Sequence, residues 1–182
     1  MKENVTEICE KLDNLLLHTL DLMEEKVVTT IQLENHLRDG HLELAKARYI
    51  QGKETVGMLR VPQDTPITSL FDLETSYPEH NEDETELNTS SLPRFSINLK
   101  DKEEINKIQD PLKWFGVLVP QSLKTAQKRF QESLYLSARI SDIGAELNVI
   151  SKDFEASKEV KNQLVRNSEG ESDRIAKLQG EN

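Results

Sequence analysis

Three features of the sequence predict an all-α protein built on two long helices. There are two heptad-spaced apolar series, one toward each end of the chain. Between them the period is lost, and prolines stand at 62, 66, 78 and 93. The composition is too polar for a thick core: of 182 residues, 36% are apolar and 5% aromatic against 31% charged, and mean hydropathy is -0.61. Such chains suit long helices in one or two layers with polar segments between them. The expected architecture is an antiparallel coiled-coil hairpin with a long, partly disordered acidic linker. Its parts are a helix over 1–52, a linker over 53–109, an apolar segment over 110–120, a helix over 121–168 and a frayed polar tail over 169–182.

In the first helix, Leu16, Leu20, Met23, Val27, Thr30, Glu34, Leu37, His41 and Leu44 recur at alternating steps of four and three. This predicts a heptad seam with polar positions at Glu34 and His41. Val5, Ile8 and Leu12 extend it upstream with one extra four-residue step, a stutter. Gly40 is a weak point in the helix interior, where glycine costs roughly 1 kcal/mol. Gly52 is the expected C-terminal cap, with Arg48 in the last turn, where positive charge suits the dipole.

The linker holds most of the excess negative charge. Residues 51–110 carry 13 acids and 6 bases, and between 72 and 86 there are seven acids with no lysine or arginine. Residues 64–94 therefore read as disordered. Residues 55–61 and 94–99 alternate apolar and polar side chains and are a candidate strand pair.

The second helix is expected to start near Pro120, since proline suits a first helical turn. Leu123, Ala126 and Phe130 open its stripe, and Ile140, Ile143, Leu147, Ile150, Phe154, Ser157, Lys161 and Leu164 continue it. Neither helix buries its seam alone. Pairing within the chain, between two copies, or with another protein's helices each satisfies that need.

Several function classes are disfavoured. The net charge of -10 repels nucleic acid. Cys9 is the single cysteine, so no intramolecular disulfide forms. The first residues lack the apolar core of a signal peptide, and no apolar run approaches the ~18 residues of a spanning helix. His36 and His41 are five apart, on different helix faces, and His18 and His80 stand alone. No phosphate loop, dinucleotide fingerprint or nucleophile elbow occurs. No catalytic, metal or cofactor site is expected. The basic cluster Lys124, Lys128 and Arg129 reads as a solvated face, with contact to anionic lipid or an acidic partner as the alternative.

One feature stands outside coiled-coil logic: "DPLKWFGVLVPQSLKTAQKRF", with the only tryptophan and an apolar run bracketed by Pro111 and Pro120. It reads either as a hydrophobic cap, closing where Tyr49 meets Leu123, or as a docking segment. Together with "LELAKARYIQG" at 42–52, it resembles the vacuolar proton-ATPase assembly-factor family. The matching positions are Asp110, Pro111, Trp114, Phe115, Gly116, Val117, Leu118, Val119, Pro120, Ser122 and Leu123, with Leu44, Ala45, Lys46, Ala47, Arg48, Tyr49 and Gly52 upstream. Phe130 closes the quoted stretch and is also a candidate structural or partner-binding residue. The resemblance implies a non-enzymatic chaperone at the cytosolic face of the endoplasmic reticulum membrane. There it would be held by a membrane-spanning assembly partner and act on the membrane-sector subunits of the proton pump, without joining the finished pump. Its contact with the membrane would be indirect, through that partner. A prefoldin-like chaperone subunit and a lipid-tethering coiled coil are the alternatives.

Overall fold

The computed structural model describes residues 5–64, 66–77, 92–100 and 110–179, and of 168–179 the backbone only. His80, the linker segments 78–91 and 101–109, and the end of the tail lie outside the described residues. Helix α1 spans Val5–Gln51 and helix α2 spans Gln121–Gln179, and the two pack together. Between them lie a 3-10 turn at Met58–Arg60, strand β1 (Phe71–Ser76), strand β2 (Arg94–Leu99) and a 3-10 turn at Pro111–Phe115. Helix α2 continues eleven residues past the expected end at 168. The fading of its apolar period does not mark where the helix stops.

The chain divides into two compact units, Met1–Glu25 with Glu79–Leu92 and Ile143–Asn182, and Lys26–Pro78 with Pro93–Asp142. In the first unit, Leu15 and Leu22 of α1 form a core with Ile143 and Ile150 of α2, against which Leu147 and Phe154 pack. Ile8 and Leu12 are buried as well. His18 Nε2 lies 3.1 Å from Glu146 Oε1. In the second unit, Ala47, Val56 and Leu123 form the core, packed by Leu44, Leu112, Phe115 and Val119. There His36 faces Glu132 (3.3 Å), Gly40 meets Phe130, and Ala47 meets Leu123. As residue numbers rise along α1 in this unit, those of their partners on α2 fall.

The α2 stripe is borne out: Leu123, Ala126, Ile143, Ile150 and Ser157 are buried, and Leu147 and Phe154 pack against the core. The α1 seam is not. Leu16, Leu20, Met23 and Val27 are each about half exposed or more, while Ile8, Leu12, Leu15, Leu22, Thr29 and Ala47 are buried. The buried face is shifted by one residue, a rotation of about 100°. In this register Ile8, Leu12 and Leu15 follow each other by four and three, so no stutter is needed. Partner shape decides the choice. A Cβ on Gly40 would lie 2.9 Å from Phe130 Cε1, so the ring in its present place favours a glycine opposite it. The polar group of Thr19 on this face is satisfied locally, its hydroxyl donating to the Leu15 carbonyl at 2.8 Å.

The expected strand pair is half right. Residues 94–99 are a strand, but their partner is β1, inside the segment read as linker. Residues 55–61 instead hold turns and the first 3-10 turn. The strands are antiparallel, with Phe71 opposite Leu99 and Ser76 opposite Arg94. Sequence polarity hides β1, because only Phe71 is partly covered along it. Its anchorage comes from Phe71 edge-on to Tyr135 of α2 (6.1 Å) and from the Phe95 N–H donating to Asp142 Oδ1 at 2.8 Å.

The two registers predict opposite mutational patterns. Ile143→Ala should lower stability by about 2–5 kcal/mol, as for a fully buried aliphatic side chain. Leu20→Ala should stay within about 0.5 kcal/mol of wild type. Urea denaturation followed by helical circular dichroism checks both; a larger loss for Leu20→Ala would contradict the observed register.

Candidate functional site

The candidate site is the junction of the second unit, where α1 ends and α2 begins. Helix α1 stops at Gly52, whose φ of +89° suits only glycine well and whose N–H donates to the Arg48 carbonyl at 2.9 Å. The chain then turns so that Val56 is buried beside Ala47 and Leu123. On the other side, Asp110 caps the turn at Pro111–Phe115. Its carboxylate accepts from the Leu112 N–H at 3.0 Å and from Gln127 Nε2 at 3.3 Å. Pro111 needs no donor in that first position. The aspartate–proline pair thus starts a turn and ties it to α2.

Gly116 ends this turn at φ +120° and ψ 175°, a region closed to side-chain-bearing residues. Phe115 and Val119 therefore face the core on either side of the bend, while Val117 and Leu118 point to solvent at 100% and 86% exposure. Trp114 is half-buried, and its indole Nε1 is buried without a hydrogen-bond partner. The Leu118 carbonyl accepts from Gln51 Nε2 at 2.8 Å, joining the two loops. Pro120 precedes the helix rather than starting it, and its carbonyl accepts from the N–H groups of Leu123 and Lys124.

Tyr49 does not close the junction. It is 91% exposed, and Ala47, two residues earlier, is the fully buried side chain against Leu123. Two residues turn a helix by about 200°, so Ala47 and Tyr49 face opposite ways. Phe130 lies apart from the bend, against Gly40 and edge-on to His41 at 5.1 Å. The structure thus gathers Leu112, Phe115, Val119 and Leu123 in one cluster and sets Tyr49 and Leu118 outside it. Arg129, read as part of a solvated basic face, instead lies 3.0 Å from Glu132 and 3.3 Å from His36.

Sequence reasoning missed an apolar cleft of about 440 Å³ beside this cluster. Its walls include Leu44, Ile67, Phe71, Leu112, Phe115, Phe130 and Leu134. The signal was present in Ile67 and Phe71, two apolar residues in the polar linker. Among the described residues no group of three or more His, Cys, Asp or Glu side chains is placed to hold a metal ion, and no helix is long and apolar enough to cross a membrane.

These features define a helical protein whose prominent chemistry, among the described residues, is apolar surface. Known proteins place it further. A protein-family model described as Vma22/CCDC115 matches residues 13–133, more than half of the chain and all of the junction. The vacuolar ATPase assembly protein VMA22 of Mus musculus is 34% identical over 156 residues, covering 76% of this chain and 84% of the relative. The proteins of the same name from Homo sapiens and Bos taurus are 33% and 31% identical, each covering 73% of this chain and 81% of the relative. The chain belongs to the Vma22/CCDC115 family.

Two glycines separate backbone strain from space. No atom would meet a Cβ at Gly116 or at Gly144. Gly116→Ala should nevertheless cost about 1–3 kcal/mol, because of its φ. Gly144→Ala, in the interior of α2, should stabilise by about 0.4–1 kcal/mol. Thermal denaturation of the two variants checks the opposite signs.

Proposed function

We propose that this chain is an assembly factor for the vacuolar proton-pumping ATPase. In this reading it acts on the membrane sector of the pump at the cytosolic face of the endoplasmic reticulum, is held there by a membrane-spanning partner, and is absent from the finished pump. The observation that carries the reading is family membership across most of the chain, with curated relatives named as vacuolar ATPase assembly proteins. We also infer that α1 and α2 form an antiparallel coiled-coil hairpin, from the opposed running order of their pairs in the second unit.

A factor of this kind works by covering apolar surface on unassembled subunits. The first unit offers a surface suited to that, since Leu16, Leu20 and Met23 are 48%, 54% and 50% exposed along one stripe of α1. They are spaced for a helix-to-helix contact with a partner. The strand pair set between two long helices favours one other reading, a prefoldin-like subunit. That alternative requires sister subunits of the same build.

Affinity purification from a digitonin extract tests the proposal. Membrane-sector subunits and a membrane-spanning protein foreign to the finished pump should co-purify with the wild type. A Leu16→Asp, Leu20→Asp, Met23→Asp variant should keep its thermal midpoint, because these positions are exposed, yet retain about thirtyfold less partner. Recovery of prefoldin-type sister subunits in place of pump subunits would favour the alternative. Recovery of the complete pump would contradict a role confined to assembly.

A further inference from the structure

At the junction, three loops carry six large apolar side chains out into solvent. Tyr49 (91%) and Ile50 (68%) end α1, Met58 (80%) and Leu59 (86%) form the first 3-10 turn, and Val117 and Leu118 form the bend. All three loops hang on the same buried cluster: Ala47 precedes the first, Val56 the second, and Phe115 and Val119 flank the third. The Gln51–Leu118 hydrogen bond ties the first to the third.

The charges around these loops run against the rest of the chain. Residues 45–61 and 110–124 carry six bases, Lys46, Arg48, Lys53, Arg60, Lys113 and Lys124, against two acids, Glu54 and Asp110, in a chain of net charge -10. The Asp110 carboxylate is already engaged by Leu112 and Gln127. Of the bases, only Lys46 is in an ion pair among the described residues, with Glu43.

We propose that this end of the second unit is a docking surface for an anionic lipid bilayer. The exposed apolar side chains enter the headgroup layer, and the surrounding bases meet its phosphates and carboxylates. Apolar side chains interleaved with Lys and Arg are what an interfacial lipid contact requires. A protein interface core, by contrast, is depleted in lysine. A chain of net charge -10 is repelled by the same bilayer overall, so electrostatics favour contact through its basic segments. The contact adds to the hold by a membrane-spanning partner and does not depend on the pump-assembly reading.

Flotation of the purified full chain, with no partner protein, tests the proposal. It should float with phosphatidylcholine–phosphatidylserine vesicles, stay behind with pure phosphatidylcholine, and be released by high salt. Lys53→Gln and Arg60→Gln should each weaken binding about fivefold. Val117→Asp with Leu118→Asp should abolish it while helical circular dichroism stays unchanged. Failure to float with anionic vesicles, or equal flotation of wild type and all variants, would overturn the proposal. So would loss of a protein partner on Val117→Asp, Leu118→Asp substitution in a chain with no vesicle affinity, which would assign the surface to protein docking.

Discussion

Where Phe130 crosses α1, its ring packs directly on the backbone of Gly40, and any larger residue there would make the ring shift. The ring lies so near Gly40 that a Cβ there would approach Cε1 to 2.9 Å. This one contact constrains the rotation of α1 in the second unit. With Gly40 turned inward, Ala47, seven residues on, meets Leu123, and the polypeptide behind it reaches the junction. Small residues face bulky ones, so the helices approach closely without a thick core between them. A chain with 5% aromatic residues gains its packing this way, by complementarity more than by bulk.

The same rotation leaves the larger apolar side chains of α1 outside. Leu16, Leu20 and Met23 are richer in apolar area than Thr19, Thr29 or Gly40, yet the latter face inward. A monomer maximising its own stability would do the reverse. Apolar surface withheld from the internal core is available for other molecules, and that is the physical sense in which the fold suits a protein that acts through contacts. The junction divides its apolar run likewise. Phe115 and Val119 are spent on the fold, Val117 and Leu118 are not, and the Gly116 backbone makes the division.

Much of this was legible in the sequence. Both helices, the α2 stripe, the Gly52 cap and the strand at 94–99 followed from period and turn chemistry. The family was legible by resemblance alone, at the aspartate–proline and tryptophan–phenylalanine–glycine positions. The α1 register was not legible, because two heptad series one residue apart both run through the helix. Counting apolar residues selects the series containing Leu20 and Met23, whereas the facing Phe130 selects the one containing Gly40. Strand β1 escaped notice since its stability lies in pairing with β2 and in Phe71 against Tyr135, both distant in sequence. Tyr49 was misplaced for the same reason as the register: the side chain that suits a contact best by type sat on the wrong side of the helix.

Which face of α1 is turned inward is the claim everything else rests on, and thiol labelling reads it directly. In a Cys9→Ser background, single cysteines at 15, 16, 20 and 22 would be exposed to a water-soluble maleimide in the purified chain. The account predicts rapid labelling at Leu16→Cys and Leu20→Cys and strong protection at Leu15→Cys and Leu22→Cys, matching exposures of 48% and 54% against 5% and 5%. Protection at 16 and 20 with rapid labelling at 15 and 22 would contradict it.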